Sequence, residues 1–367
     1  MLSRPRLQRR IVERRVHVVA AGPGFGKSTL VAEWAEQLPS ILVSLTPMHR
    51  FVGSLARALM DGFRLRVPAL GSALSSALSG LADQTPDPGA LAAQVATLLE
   101  EHLVRDLALV LDNIDELAGS DAAVLVDELV RQAPRRLHVV LAGRGEPPLR
   151  LSRLRVAGEV DDIGAADLAL TADETREFLV RELGEAGARW AEQVQTATGG
   201  WPVAVRLMCE TIRGAAAEDA ARLLEPLRRP GGTLFSYLAE EVLASESPEA
   251  RRVLEHAAIV GGMDAELCGE LCAEPTQRGD PAAVLDLLGR RGLYFDQGEG
   301  PLVLTPLLAD HLALTSSLAE DERRAALVAG ARWHRRHRRW AESLELLRRL
   351  GDPSCCRRRC SRRRPPC

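Results

Sequence analysis

The chain has 367 residues, 46% of them hydrophobic, which is enough for two or three domains with ample core. Its formal net charge is −3, but residues 355–367 carry six arginines and no acid; the remaining body therefore carries −9 and offers no nucleic-acid surface by charge. The basic start MLSRPRLQRRIVERR lacks the apolar stretch of a signal peptide, and no segment reaches about 18 uninterrupted apolar residues, so a soluble cytoplasmic protein with no membrane association is expected.

Val16 to Ala20 is a short, β-branched apolar run. A glycine-rich turn follows, and then Ser28 to Leu38, where Leu30, Val31, Trp34 and Leu38 recur at helical spacing. The order strand, loop, helix gives the turn a specific chemistry. Gly22, Gly24 and Gly26 let backbone N–H groups curl around a polyphosphate, and the helix presents its positive end to the same anion. Lys27, the one lysine among 47 basic residues, is then placed to reach the β and γ phosphates. The Ser28 hydroxyl ligates Mg²⁺, with Thr29 beside it as a secondary contact. Pro23 and Phe25 complete the nucleotide-contacting stretch. The general pattern wants glycine at the position of Ala21. The plain alternative is a tight strand-to-helix turn with an incidental lysine.

Ile41 to Leu45 reads as a second strand, Leu55 to Phe63 as a helix, Pro68 to Gly89 as a loose connection, and Ala90 to Leu103 as a helix. Leu107 to Leu111 is a continuous apolar run ending in Asp112, the way a buried parallel strand delivers an acid to its C-terminal edge; Asp112 is the expected Mg²⁺-linked residue. Of the acids after it, Asp115 or Glu116 either orients a water molecule or caps the next helix. Leu137 to Ala142 forms another strand ending in Gly143-Arg144-Gly145, where Arg144 either reaches a γ phosphate or is an ordinary solvent-facing arginine. With Val160 to Ile163 as a fifth strand, the first 165 residues read as a doubly wound α/β domain on a parallel sheet.

Thr171-Ala172-Asp173-Glu174 is a capping box opening a helix through Leu183, and the pattern stays helical to about Arg229. Within it, Gly200-Trp201-Pro202 puts proline at a first helical turn; Trp201 either closes over a nucleotide base or packs in a core. Residues 230–232 form a joint. Short helices follow, and then 292–295 and 302–304 flank a turn, a hairpin that suits a winged helix. Its middle helix, Pro281 to Arg291, offers only Arg290 and Arg291, which favours packing over DNA binding. Glu320 to Leu350 resembles one repeat of an α-hairpin array, and 351–367 has almost no apolar content and reads as disordered. The resulting domains are a P-loop NTPase (1–165), a helical lid (166–229), a winged-helix-like domain (230–318), the start of TPR-like helical repeats (319–350) and an Arg/Cys-rich tail (351–367). Cys268 and Cys272 share a helix face and, with no second ligand pair evident, read like Cys209 as small buried hydrophobes.

Six blocks in order, LSRPRL, AAGPGFGKSTLVAEWAE, LVLDNIDEL, LAGRGEPPLRLSRLRVAGEVDDIGAADLALTADETREFL, TGGWPVAVRLM and ARWHRRHRRWAESLELLRRLGD, make the chain resemble the signal-transduction ATPases with numerous domains from about Leu2 to Asp352. Within that class it is similar to the MalT-like transcriptional regulators that end in a LuxR-type helix-turn-helix. The resemblance implies that Gly200, Trp201 and Pro202 form the nucleotide-lid corner, that Arg144 is the phosphate sensor, and that a small residue at Ala21 is usual. Two positions depart from the family: Asn113 stands where a second acid is typical, and Thr305 where a histidine is. In such regulators ADP holds a closed monomer, and exchange for ATP permits self-association and DNA binding through a C-terminal domain absent from this chain. The expectation is an ATP/ADP- and Mg²⁺-binding switch with slow hydrolysis, lacking its sensor and DNA-binding ends. The alternatives are a turnover ATPase using Asp115 or Glu116, and a degenerate scaffold from a truncated gene.

Overall fold

The computed structural model describes residues 4–70, 87–213, 243, 244, 246–272, 280–290, 301–304 and 306–350. Residues 71–86 of the loose connection, the joint at 230–232, the wing strand at 292–295, Arg291, Thr305 and the tail at 351–367 lie outside them. The chain divides into two compact units: Met1–Phe178 with Trp201–Val203, and Leu179–Gly200 with Ala204–Cys367.

In the first unit, β1 (Val16–Ala20), β2 (Ser40–Ser44), β3 (Leu107–Asp112), β4 (Leu137–Gly143) and β5 (Val160–Ile163) form one parallel sheet in the order β2-β3-β4-β1-β5. All of β4, and β3 up to Leu111, are buried, as an apolar run covered on both faces must be. The crossovers carry α1 (Lys27–Gln37), α2 (Val52–Arg66), α3 (Pro88–His102) and α4 (Asp121–Gln132). These bounds differ from the sequence expectation by up to three residues at an end, where hydrogen bonding rather than side-chain pattern decides.

The register matters most at the C-terminal edge. Ala20 aligns with Gly143, Asp112 with Ala142, and Ser44 with Asp112, so the turns after β1, β3 and β4 leave the sheet side by side. The chain leaves β1 for the far edge of the sheet while β5 adds on β1's other side. That reversal opens the crevice in which α/β sheets bind ligands.

The N-terminus forms short helices at Pro5–Gln8 and Arg9–Val12, which the sequence pattern does not announce. Leu7 and Ile11 are buried there, while the arginines meet acids around β5: Arg6 with Glu174 at 2.8 Å, Arg10 with Asp161 at 2.8 Å and Asp167 at 2.9 Å, and Arg15 with Glu159 at 2.8 Å. A start that reads as merely basic is thus tied to the sheet by partners some 150 residues away in sequence.

After β5 come α5 (Ala172–Leu183), α6 (Ala191–Thr198) and α7 (Pro202–Arg213). The second unit continues with α8 (Pro248–Val260), α9 (Ala265–Cys272), α10 (Pro281–Arg290), α11 (Pro306–Thr315), α12 (Glu320–Arg336) and α13 (Trp340–Arg349). α8 is the hub, burying Val253, Leu254, Ala257, Ile259 and Val260. Gly330 lets α12 approach closely: a methyl group there would lie 2.8 Å from Val260 and 3.0 Å from Leu346. Ser343 Oγ of α13 donates to the Ala331 carbonyl at 2.9 Å, closing the helical pair that the sequence indicates. Among the described residues, Leu302 pairs antiparallel with Met263, just after α8. Gly261 (φ 72°) ends α8 and Gly262 (φ 157°) turns the chain toward that extended pairing. No helix among the described residues is long and apolar enough to cross a membrane.

Candidate nucleotide-binding site

The turn after β1 is held at both ends. Ala21 is buried, and its N–H donates to the Gly143 carbonyl at 3.2 Å, tying the turn to the end of β4. Gly24 and Gly26 both adopt φ 78°, a left-handed conformation that L side chains resist, whereas Gly22 stays out of that region. Gly26 is the N-cap of α1, and its carbonyl accepts from Leu30 at 3.0 Å. The first-turn N–H groups of Lys27, Ser28 and Thr29 have no partner within the helix. They and the positive helix end face whatever the loop encloses.

Lys27 Nζ donates to the carbonyls of Ala21 at 2.7 Å and Gly22 at 2.9 Å. Burial pulls its pKa below the ordinary lysine value, Asp112 and Asp115 pull it up, and Arg144 pushes it down again. The sheet edge therefore gathers Asp112, Asp115 and Arg144, from the ends of β3 and β4, around one ammonium. Ser28 is exposed and Thr29 half-buried.

At the end of β3, the half-buried Asp112 accepts from the Asn113 N–H at 2.9 Å. Asn113 takes a left-handed conformation (φ 60°, ψ 45°), which asparagine tolerates better than most residues. It opens the tight turn Ile114–Leu117, which swings Asp115 back toward β4. Both Asp115 oxygens accept from the Arg144 N–H, at 3.1 and 2.9 Å. Gly143 makes room for this: a methyl group there would lie 2.8 Å from Asp115 Oδ1 and 2.9 Å from Ile114. In this geometry Asp115 anchors the turn that carries Arg144. Arg144 itself is exposed, and Glu116 is half-buried, with its backbone carbonyl accepting from Arg50 at 3.1 Å.

Trp201 is 7% exposed. Its Nε1–H donates to the Pro23 carbonyl at 3.2 Å and its ring faces Phe25 at 6.3 Å between centroids. Pro202 opens α7 with no N–H of its own, and the next N–H, that of Val203, donates to the Gly24 carbonyl at 3.2 Å. The indole is thus buried against the turn that follows β1. Gly200 (φ 76°) donates to Thr198 Oγ1 at 3.2 Å.

Arg4 is a site residue that the pattern of the sequence does not single out. It is 3% exposed, and its guanidinium reaches the carbonyls of Gly26 at 3.4 Å and Leu168 at 3.3 Å. Burial lowers its pKa, and Glu33 and Glu174 oppose that. The sequence signal was slight: an arginine before the proline that starts a helix.

The sheet, its crevice and the glycine loop closing onto a helix define an α/β P-loop NTPase fold accompanied by helical domains. No family model matches the chain. It is 28% identical over 295 residues to the serine/threonine-protein kinase PknK of Mycobacterium tuberculosis, covering 78% of this chain and 26% of that protein. To the HTH-type transcriptional regulator MalT of Serratia proteamaculans it is 27% identical over 303 residues, covering 78% of this chain and 31% of that protein. The chain thus spans about a quarter to a third of the curated relatives it matches. Among solved structures, the Walker-type ATPase of Pyrococcus abyssi shares its fold, with a TM-score of 0.54 at 16% identity over 85% of this chain and 96% of that one.

Proposed function

We propose that this chain is an ATP/ADP-binding switch module of a MalT-like, LuxR-type transcriptional regulator, with slow hydrolysis at most. The observation that carries the reading is the Lys27 ammonium, desolvated and held by two loop carbonyls among Asp112, Asp115 and Arg144. Such an ammonium gains by exchanging neutral carbonyls for charged phosphate oxygens, because charge-assisted hydrogen bonds are roughly twice as strong. The N–H groups of Gly22 and of Gly24 to Thr29 cradle the phosphates. Ser28 and Asp112 are the residues that would hold Mg²⁺, which supplies charge neutralisation between the phosphates.

Arg144, on a turn pinned by Asp115, reads the γ phosphate; a group contacted in one nucleotide state only is what a two-state switch requires. Trp201 and Pro202 brace the loop from below, and Gly200 supplies the turn into them. Asn113 at the position after Asp112, and the engagement of both Asp115 oxygens, favour nucleotide retention over fast turnover. Glu116 is then the acid left to orient water. The domain limits read from the sequence, the winged-helix-like and TPR-like regions, and self-association in the ATP state belong to the same proposal. DNA contact falls to a helix-turn-helix part like the one named in the relatives and to none of these residues.

The test is calorimetric titration of MgATP into the wild type and Lys27→Ala. Two hydrogen bonds to charged groups at about 1.5–3 kcal/mol each predict affinity weakened by roughly 100-fold or more. Wild-type affinity in the variant overturns the site. Steady-state phosphate release well above about 1 per second makes the protein a turnover ATPase instead.

A further inference from the structure

The helical unit gathers three side chains with metal-binding chemistry that nucleotide binding does not use. Asp264, Glu266 and His337 each place a ligand atom within 4.8 Å of those of the other two. Asp264 and Glu266 stand at the start of α9, and His337 directly follows α12, so the fold rather than the local sequence brings them together. The chain enters α9 through the Met263–Leu302 pairing, and Asp264 caps the helix, its Oδ1 accepting from the Leu267 N–H at 2.9 Å. Trp333, buried on α12, arranges two of the three. Its Nε1–H donates to Asp264 Oδ2 at 3.1 Å, its carbonyl accepts from His337 Nδ1 at 3.0 Å, and its ring lies over the imidazole with 4.2 Å between centroids. A carbonyl can only accept, so Nδ1 carries the hydrogen and Nε2 keeps the lone pair that a metal needs. Arg336 holds Glu266 through Oε1 at 2.7 Å and also reaches Glu270 at 3.6 Å, which leaves Glu266 Oε2 as a donor.

We propose that Asp264, Glu266 and His337 form a binding site for a single Zn²⁺ ion within the helical unit. The donor set selects the ion: an imidazole beside carboxylates suits zinc, whereas Mg²⁺ and Ca²⁺ take oxygen ligands. Two carboxylates and a neutral imidazole cancel its charge. Zinc bonds of about 2.0–2.2 Å at tetrahedral angles set ligand atoms roughly 3.3–3.5 Å apart, so the three groups must draw in on the ion. Glu266 and His337 are exposed and free to swing, while Asp264, half-buried and hydrogen-bonded through both oxygens, is the fixed ligand. Three protein ligands leave the fourth position to water, the pattern of open zinc sites. A ligating imidazole normally gives its other N–H to a carbonyl or carboxylate, and the Trp333 carbonyl fills that place. The ion would tie the start of α9 to the end of α12.

The full chain is tested with serine at Cys355, Cys356, Cys360 and Cys367, so that tail thiols contribute nothing, and in excess Mg²⁺, which competes for oxygen-only sites. Calorimetric titration with Zn²⁺ should show one equivalent bound, and Zn²⁺ should raise the melting temperature. His337→Gln and Glu266→Gln, both at exposed positions where folding survives the change, should each weaken Zn²⁺ by more than about tenfold, the least that loss of even an outer-shell partner costs. Cu²⁺ as a paramagnetic probe should show hyperfine splitting from one imidazole nitrogen, lost in His337→Gln. Cys272→Ser should leave Zn²⁺ affinity unchanged. Absence of Zn²⁺ binding in the tail-substituted parent, whose folding circular dichroism establishes, or equal affinity in His337→Gln, overturns the proposal. Binding that is lost in Cys272→Ser and kept in His337→Gln places the ion on a thiol and overturns it as well.

Discussion

Replacing Trp201 by phenylalanine separates a loop brace from a base platform. The substitution keeps an aromatic ring against Phe25 but deletes the Nε1–H that donates to the Pro23 carbonyl at 3.2 Å. That hydrogen bond contributes about 0.5–1.5 kcal/mol, and Pro23 is half-buried, so water replaces the donor in part. The side chain is 7% exposed, so the smaller ring leaves a void of roughly 40 Å³, which costs about 1 kcal/mol at about 24 cal/mol per Å³. Together these predict a loss of about 2 kcal/mol, or a melting temperature lower by roughly 4–8 °C for a unit of this size. A loosened loop must then be ordered on binding, at about 0.5–1.5 kcal/mol, so MgATP affinity should fall about 3- to 10-fold. Differential scanning fluorimetry and calorimetric titration measure the two quantities. A base platform predicts the opposite split, because phenylalanine stacks as tryptophan does and affinity holds. A variant that melts within about 1 °C of the wild type and binds MgATP equally well would refute the brace.

Gly143→Ala should push Asp115 and Ile114 aside, since the new methyl group lies 2.8 Å and 2.9 Å from them. Overpacking of this kind costs about 1–3 kcal/mol. The Arg144 turn should shift with it, so discrimination between ATP and ADP should narrow by more than general affinity falls; equal loss for both nucleotides argues against Arg144 as sensor. Asp161 supplies a pH signature. Burial alone would raise its pKa, but hydrogen bonds from His17 and Arg10 bring it down to about 2. A depressed carboxylate contributes stability that is complete above the ordinary value of about 3.9 and is lost as pH falls toward 2. Asp161→Asn should therefore melt lower than the wild type at neutral pH, with the gap closing between about pH 4 and pH 2. A gap that stays constant across that range removes the Arg10–Asp161–His17 network as its cause.

The sequence by itself determined the sheet and the phosphate loop, because both are local. Four apolar runs set β1 to β4, and β5, Val-Asp-Asp-Ile, lies at the limits expected. Glycines followed by Lys27 and Ser28 name a phosphate loop wherever a strand precedes them and a helix follows. Other roles depended on partners far along the chain. Asp115 has the spacing of a catalytic or capping acid, and only the left-handed turn at Asn113 and the bare Cα of Gly143 deliver both its oxygens to the Arg144 N–H. Arg4 reads as one of many arginines until Gly26 and Leu168 present their carbonyls to it. Cys268 and Cys272 are paired by helical spacing alone, but His256 reaches Cys272 only when α8 packs on α9. Periodicity and loop chemistry are written in neighbouring residues and can be read directly. Which charge meets which carbonyl is decided by register and packing between distant segments, and no short stretch of sequence carries that information.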